Sequence, residues 1–254
     1  MKQYYFGTNM KMYKTTSDTE RFLKELLTLS KEMPPKHPAL FVIPSFPSLD
    51  AAGKLLSGSP ILLGAQNMHW ASQGQFSGEV SADMLTPLGV TMVMLGHSER
   101  RHIFGETDEE LNKKVLAAAE NDMLPLLCIG ETIDQKNYGI SDETLRMQLK
   151  QDLFGFPTEK LANLRIAYEP VWAIGVSGIP APADYVGRRH ACIRACLIEL
   201  FGKAGQDIPV LFGGSVTPEN APGYLAQENV DGLFVGRSAW EAKNYWEMVK
   251  SLFT

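Results

Sequence analysis

The sequence predicts an α/β protein, a (β/α)8 barrel of eight parallel strands with outer helices. Its 254 residues match the size of one such domain. Short apolar or β-branched runs recur along the chain, beginning near Tyr4, Ala39, Ile61, Met92, Leu124, Leu164, Ile208 and Gly232. Each run gives way to a segment of helical periodicity, and strands that each feed a helix make a parallel sheet. Eight repeats of that unit in a chain of this length favour a closed ring over an open, doubly wound sheet.

The first run, from Tyr4, leads through Asn9, Met10 and Lys11 to a helix expected over Thr19 to Glu32. The second and third runs start at Ala39 and Ile61, and the fourth, at Met92, ends at Gly96 and His97. A helix is expected over Asp108 to Asn121, then the fifth run from Leu124, then a helix from Asp142 to Phe154. The sixth run, Leu164 to Tyr168, delivers Glu169 just before Pro170, and proline restricts the residue ahead of it to extended geometry. A helix from Asp184 to Phe201 precedes the seventh run, which ends in Gly213, Gly214 and Ser215. The eighth ends in Gly236, Arg237 and Ser238, and a last helix is expected over Trp240 to Phe253. No linker, charge block or low-complexity stretch divides the chain, so residues 1–254 read as a single domain.

Composition excludes several classes. With 44% hydrophobic and 21% charged residues and no apolar stretch near the length of a bilayer span, the chain is expected to be soluble and not a membrane protein. The N-terminus reaches strand-like sequence at once, without the pattern of a signal peptide, which points to the cytoplasm. The balance of 24 basic to 29 acidic residues argues against a nucleic-acid partner. The three cysteines, Cys128, Cys192 and Cys196, fit a reducing compartment; no disulfide framework is implied, and core packing outweighs a metal site. No metal or other cofactor is expected.

In a barrel of this kind the carboxyl ends of the strands converge on one face, so the polar residues there share a pocket. Glu169 leaves its strand as a candidate general base and enters a run, Val171 to Pro182, that mixes apolar residues with Gly175, Gly178, Pro180 and Pro182. That run reads as a lid: Val171, Trp172, Ala173, Ile174, Val176, Ser177, Gly178, Ile179 and Pro180. His97 precedes the first turn of a helix, whose free N–H groups favour a neutral ring that donates a hydrogen bond. Lys11, beside Asn9, is placed to neutralise charge developing on an enediolate, where a preorganised donor is worth about 3 kcal/mol. Gly213-Gly214-Ser215 and Gly236-Arg237-Ser238 offer backbone N–H groups to a phosphate. A carboxylate base, a neutral imidazole, a lysine and a phosphate cradle describe proton transfer between carbons next to a carbonyl, that is, aldose–ketose isomerisation.

At this point the chain resembles the triosephosphate isomerase family from end to end. The motifs are Gly64-Ala65-Gln66-Asn67, Gly78-Glu79-Val80-Ser81, Leu95-Gly96-His97-Ser98-Glu99-Arg100-Arg101, Cys128-Ile129-Gly130-Glu131, Tyr168 to Gly175, and Gly213-Gly214-Ser215-Val216. The resemblance implies a TIM barrel, catalysis by Glu169, His97, Lys11 and Asn9, and Glu99 as their supporting partner. It implies phosphate binding by the main chain at Gly175, Ser215, Gly236 and Arg237. It also implies a homodimer, in which the loop from Asn67 to Ser81, with Phe76 and Ser77, enters a neighbouring subunit's site.

The chain departs from the family pattern at several points. Met10 stands for the usual tryptophan and Ser77 for the usual threonine, and the lid tip reads Gly175-Val176-Ser177-Gly178-Ile179-Pro180. Phe212 replaces a tyrosine whose hydroxyl pairs with a lid N–H in the family, and Pro180 occupies the donor's place, so donor and acceptor are missing together. Arg237 replaces a glycine. The lid and the stretch from Asp231 to Trp240 resemble the branch of the family assigned to L-erythrulose-1-phosphate. The substrate expected first is therefore a triose phosphate, with a tetrulose phosphate as alternative; a phosphosugar-binding protein without catalysis is the remaining reading.

Overall fold

The computed structural model describes residues 3–33, 37–175 and 178–253. Eight parallel strands close into one ring in sequence order. They are β1 (Tyr5–Asn9), β2 (Ala39–Ile43), β3 (Leu62–Ala65), β4 (Met92–Leu95), β5 (Leu124–Ile129), β6 (Arg165–Tyr168), β7 (Val210–Gly214) and β8 (Gly232–Val235). Closure is carried by β1, which pairs with β2 from Tyr5 opposite Ala39 to Asn9 opposite Ile43, and with β8 from Tyr5 opposite Gly232 to Thr8 opposite Val235.

Successive side chains on a strand face opposite sides, so each strand feeds two cores. Tyr5, Phe41, Ile43, Met92, Met94, Leu126, Cys128, Ala167, Leu211 and Phe234 pack together in one cluster. The alternate residues, among them Phe6, Val42, Val93, Leu127, Ile166, Tyr168, Phe212 and Leu233, belong to a second cluster with the helices, to which Phe22, Leu111, Leu149, Ile193 and Trp246 contribute. Because both faces are covered, the strands read as nearly unbroken apolar runs, the property that made them visible in the sequence. Cys128 is part of the first cluster and Cys196 of the second, in keeping with core packing. No group of His, Cys, Asp and Glu suited to a metal ion occurs among the described residues. Nor is any described helix long and apolar enough to cross a membrane.

The helices differ from expectation mainly at their starts. The first is Thr16–Leu29, not Thr19 to Glu32: Thr15 accepts from the Asp18 N–H while Asp18 accepts from the Thr15 N–H, and this capping box starts the helix before its apolar stripe. Asp108–Glu120, Ser141–Asp152 and Ala183–Phe201 lie within a residue or two of the expected bounds. The last helix is Ala242–Phe253, and Trp240 lies outside it, after a 3-10 turn at Arg237–Ala239. The units after β3 and β7 hold only short helices, Ala82–Leu85 and Ala221–Leu225, because both follow long rim loops.

Candidate active site

Each candidate side chain is aimed by local backbone chemistry at the carboxyl ends of the strands. Just past β1, Lys11 adopts a left-handed conformation with φ of 50°. A non-glycine residue there is strained, and two side chains hold it. Asn9 Oδ1 accepts the Lys11 N–H at 2.8 Å, and Gln66 Nε2 donates to the Lys11 carbonyl at 2.8 Å and to Asn9 Oδ1 at 3.2 Å. Trp240 Nε1 donates to the Asn9 carbonyl at 2.8 Å. The Lys11 ammonium meets Glu99 Oε1 at 2.6 Å with its side chain only 16% exposed, so it is not a solvated surface lysine.

His97 follows Gly96, whose φ of 73° turns the chain out of β4. Arg101 reaches back to that turn, donating to the Gly96 carbonyl at 2.8 Å and the Cys128 carbonyl at 3.1 Å, and its guanidinium is held by Asp108 and, at 2.6 Å, by Asp152. This pairing anchors the turn that carries His97. His97 Nδ1 accepts the Glu99 N–H at 3.3 Å, which leaves the ring proton on Nε2. Nε2 lies 3.8 Å from Glu169 Oε2.

Glu169 sits one residue beyond β6, and its N–H still donates to the Ile129 carbonyl at 2.8 Å. It is 5% exposed, and its Oε2 has no hydrogen-bond partner among the described residues. Two glycines make room for it. A Cβ on Gly130 would stand 2.0 Å from the Glu169 carbonyl oxygen, and one on Gly213 would stand 2.9 Å from Glu169 Cγ and Oε1. Burial, with the negative charge of Glu169 beside it, pushes the Cys128 thiol well above its usual value, so this cysteine is a packing group and not a nucleophile.

The lid begins in a 3-10 turn, Val171–Ala173, anchored on Glu131. This fully buried carboxylate accepts from Trp172 Nε1 at 2.9 Å, from the Tyr185 hydroxyl at 2.8 Å and from the Tyr168 hydroxyl at 3.1 Å. Lys136 lies over the Trp172 ring at 4.0 Å. Beyond the turn come Ile174 and Gly175, the latter with φ of 88°; Val176 and Ser177 lie outside the described residues. Ser215 Oγ donates to the Ala173 carbonyl at 2.8 Å, and the Ile179 N–H returns to the Trp172 carbonyl at 3.1 Å. Phe212, lacking a hydroxyl, packs on Tyr224 at 4.4 Å, and the Tyr224 hydroxyl donates to the Ala181 carbonyl at 2.8 Å. The second half of the lid thus has an anchor that the sequence did not indicate.

These elements enclose a cavity of about 310 Å³. Asn9, Lys11, His97, Glu99 and Glu169 line it, with Ile174, Gly175 and Gly178 from the lid and Ser215, Gly236 and Arg237 after β7 and β8. Val171, Trp172, Ala173, Ile179 and Pro180 are not among its walls. Phe76 and Ser77 are exposed on a separate loop, where the Phe76 ring packs against His69 at 4.1 Å. Sequence reasoning missed Tyr13, Thr217 and Trp240 as lining residues and Gln66 as the brace of Lys11. Only the position of Gln66 at the end of β3 gave a signal.

The family model described as Triosephosphate isomerase matches residues 4–252. The chain is 44% identical over 246 residues to an L-erythrulose-1-phosphate isomerase of Rhizobium etli, covering 96% of this chain and 91% of the relative. It is 39% identical over 252 residues to a triosephosphate isomerase of Dictyoglomus turgidum, covering 99% and 100%. A crystal structure of triosephosphate isomerase from Bartonella henselae superposes with a TM-score of 0.87 at 30% identity, over 97% of each chain.

Proposed function

The chain belongs to the triosephosphate isomerase family, whose members are isomerases, and from that premise we propose that it interconverts dihydroxyacetone phosphate and D-glyceraldehyde 3-phosphate. The reaction is a metal-free aldose–ketose isomerisation through an enediolate. Glu169 takes a proton from the carbon next to the carbonyl and returns it to the neighbouring carbon. His97 donates from Nε2 to the carbonyl oxygen and passes protons between the two oxygens, while Lys11 and Asn9 hold substrate and stabilise the enediolate, with Glu99 fixing the lysine. Main-chain N–H groups at Gly175, Ser215, Gly236 and Arg237 take the phosphate, and the lid excludes water, which protects the enediolate from losing phosphate.

The observation that carries the reading is the meeting of three strand ends. A buried carboxylate oxygen without a partner faces a ring N–H 3.8 Å away, in a cavity that also holds an ammonium group. A general base is worth roughly 10²–10⁴ in rate, so Glu169→Gln is expected to cut kcat by at least about a hundredfold in a coupled assay with the melting temperature preserved. Absence of turnover by the intact protein, with both three- and four-carbon phosphates offered, would defeat the proposal.

A second reading, isomerisation of a tetrulose phosphate such as L-erythrulose-1-phosphate, is favoured by Arg237: an exposed cation on the cavity wall with no ion-pair partner among the described residues. We further propose a single catalytic domain over residues 1–254, acting as a cytoplasmic homodimer in glycolysis and gluconeogenesis. The exposed Phe76 and Ser77 would reach the partner's site.

A further inference from the structure

On one wall of the cavity, three side chains have no part in the chemistry just described. Tyr13, in the loop after β1, is 66% exposed, and its ring packs on Trp240, in the loop after β8, with centroids 4.7 Å apart and planes at 39°. The next residue in each loop closes the same seam, since Lys14 Nζ meets Glu241 Oε1 at 2.8 Å with the lysine side chain only 17% exposed. Arg237 stands beside them on the 3-10 turn Arg237–Ala239, which Ser238 Oγ fixes by donating to the Val216 carbonyl at 2.9 Å. Tyr13, Arg237 and Trp240 all line the cavity that holds Lys11, His97 and Glu169.

The proposed chemistry on a three-carbon phosphate uses the Arg237 main chain and leaves these three side chains without a task. Two of its carbons exchange a proton with Glu169 and the third carries the phosphoryl group. A four-carbon ketose phosphate has one more carbon and one more hydroxyl. An aromatic face suits the C–H surface of that carbon, and a guanidinium without an acid partner suits its hydroxyl. We propose that Tyr13, Trp240 and the Arg237 guanidinium select substrate chain length, binding the carbon and hydroxyl that a four-carbon ketose phosphate carries beyond those of a triose. The inference rests on the isomerase reading and names determinants within that site.

The test compares kcat/KM for dihydroxyacetone phosphate and erythrulose 1-phosphate in the wild type, Tyr13→Ala, Arg237→Ala and Trp240→Phe. One methylene contact discriminates about 10- to 200-fold and a hydrogen-bonded hydroxyl more, so Tyr13→Ala and Arg237→Ala should each lower the four- to three-carbon ratio at least about tenfold, chiefly through KM for the longer sugar. Trp240→Phe keeps the ring and removes the bond to the Asn9 carbonyl, so it should slow both substrates alike and leave the ratio within about threefold. Equal losses on both sugars in Tyr13→Ala and Arg237→Ala, or an unchanged ratio in folded variants, would overturn the selector. So would a wild type that turns over only the triose. A wild type inert on both sugars would remove the isomerase reading itself, and the selector with it.

Discussion

Gly213→Ala adds one methyl group whose three nearest neighbours are all atoms of the proposed base. The new Cβ would lie 2.9 Å from Glu169 Cγ and Oε1, whereas carbon atoms rest at about 3.5–4.0 Å. Glu169 cannot withdraw as a unit, because its N–H is bound to the Ile129 carbonyl at 2.8 Å and its carbonyl packs over Gly130. The carboxylate itself must therefore give way, by roughly 0.6–1 Å on these radii. A misplacement of about 1 Å at a reacting group costs on the order of a hundredfold, so kcat should fall roughly 10- to 100-fold, equivalent to about 1.4–2.7 kcal/mol. Gly213 lies within β7 and has no positive φ, so alanine meets no backbone penalty and the fold should hold. Steady-state kinetics in the coupled assay, with thermal melts alongside, give the answer. A folded variant whose kcat stays within about twofold of wild type would show that Glu169 does not need this position, and the geometric reasoning would fail.

Two further outcomes are expected. Asp152 is fully buried and shares the Arg101 guanidinium with Asp108; burial first, and the charge of Asp108 against the pull of Arg101, push its carboxyl up to about 7. Its folded value exceeds its unfolded value of 3.8, so its contribution to stability is complete below that pH and is lost as pH rises through about 7. The melting temperature should therefore fall between about pH 4 and pH 7, and Asp152→Asn should flatten that slope; an identical slope in the variant would remove the assignment. Thr15→Ala breaks the capping box of the first helix and should cost about 1 kcal/mol, near 2–4 °C in a chain of this size, with kcat unaltered.

What the sequence disclosed and what it withheld have physical causes. Strands buried on both faces are apolar throughout, so β1 to β8 stood out, and a fixed topology turned their ends into a list of pocket residues. The first helix starts ahead of its apolar stripe because the cap at Thr15 sets its boundary, and Trp240 reads as helical because its apolar character matches the stripe it precedes. Contacts that join distant loops left no local trace. Gln66 and Lys11 are 55 positions apart, and Trp240 and Asn9 are 231, and no periodicity spans such intervals. The Glu131 anchor escaped for a related reason, since its donors Tyr168, Trp172 and Tyr185 lie 37, 41 and 54 positions away.

The closing seam between β1 and β8 has a consequence for biosynthesis. During synthesis Asn9 and Lys11 emerge well before Arg237, so the edge of β1 that pairs with β8 stays open until β8 follows. Until Gly232–Val235 emerges there is no cylinder to finish, and the emerging polypeptide must keep that edge from other strands by some means besides its own fold.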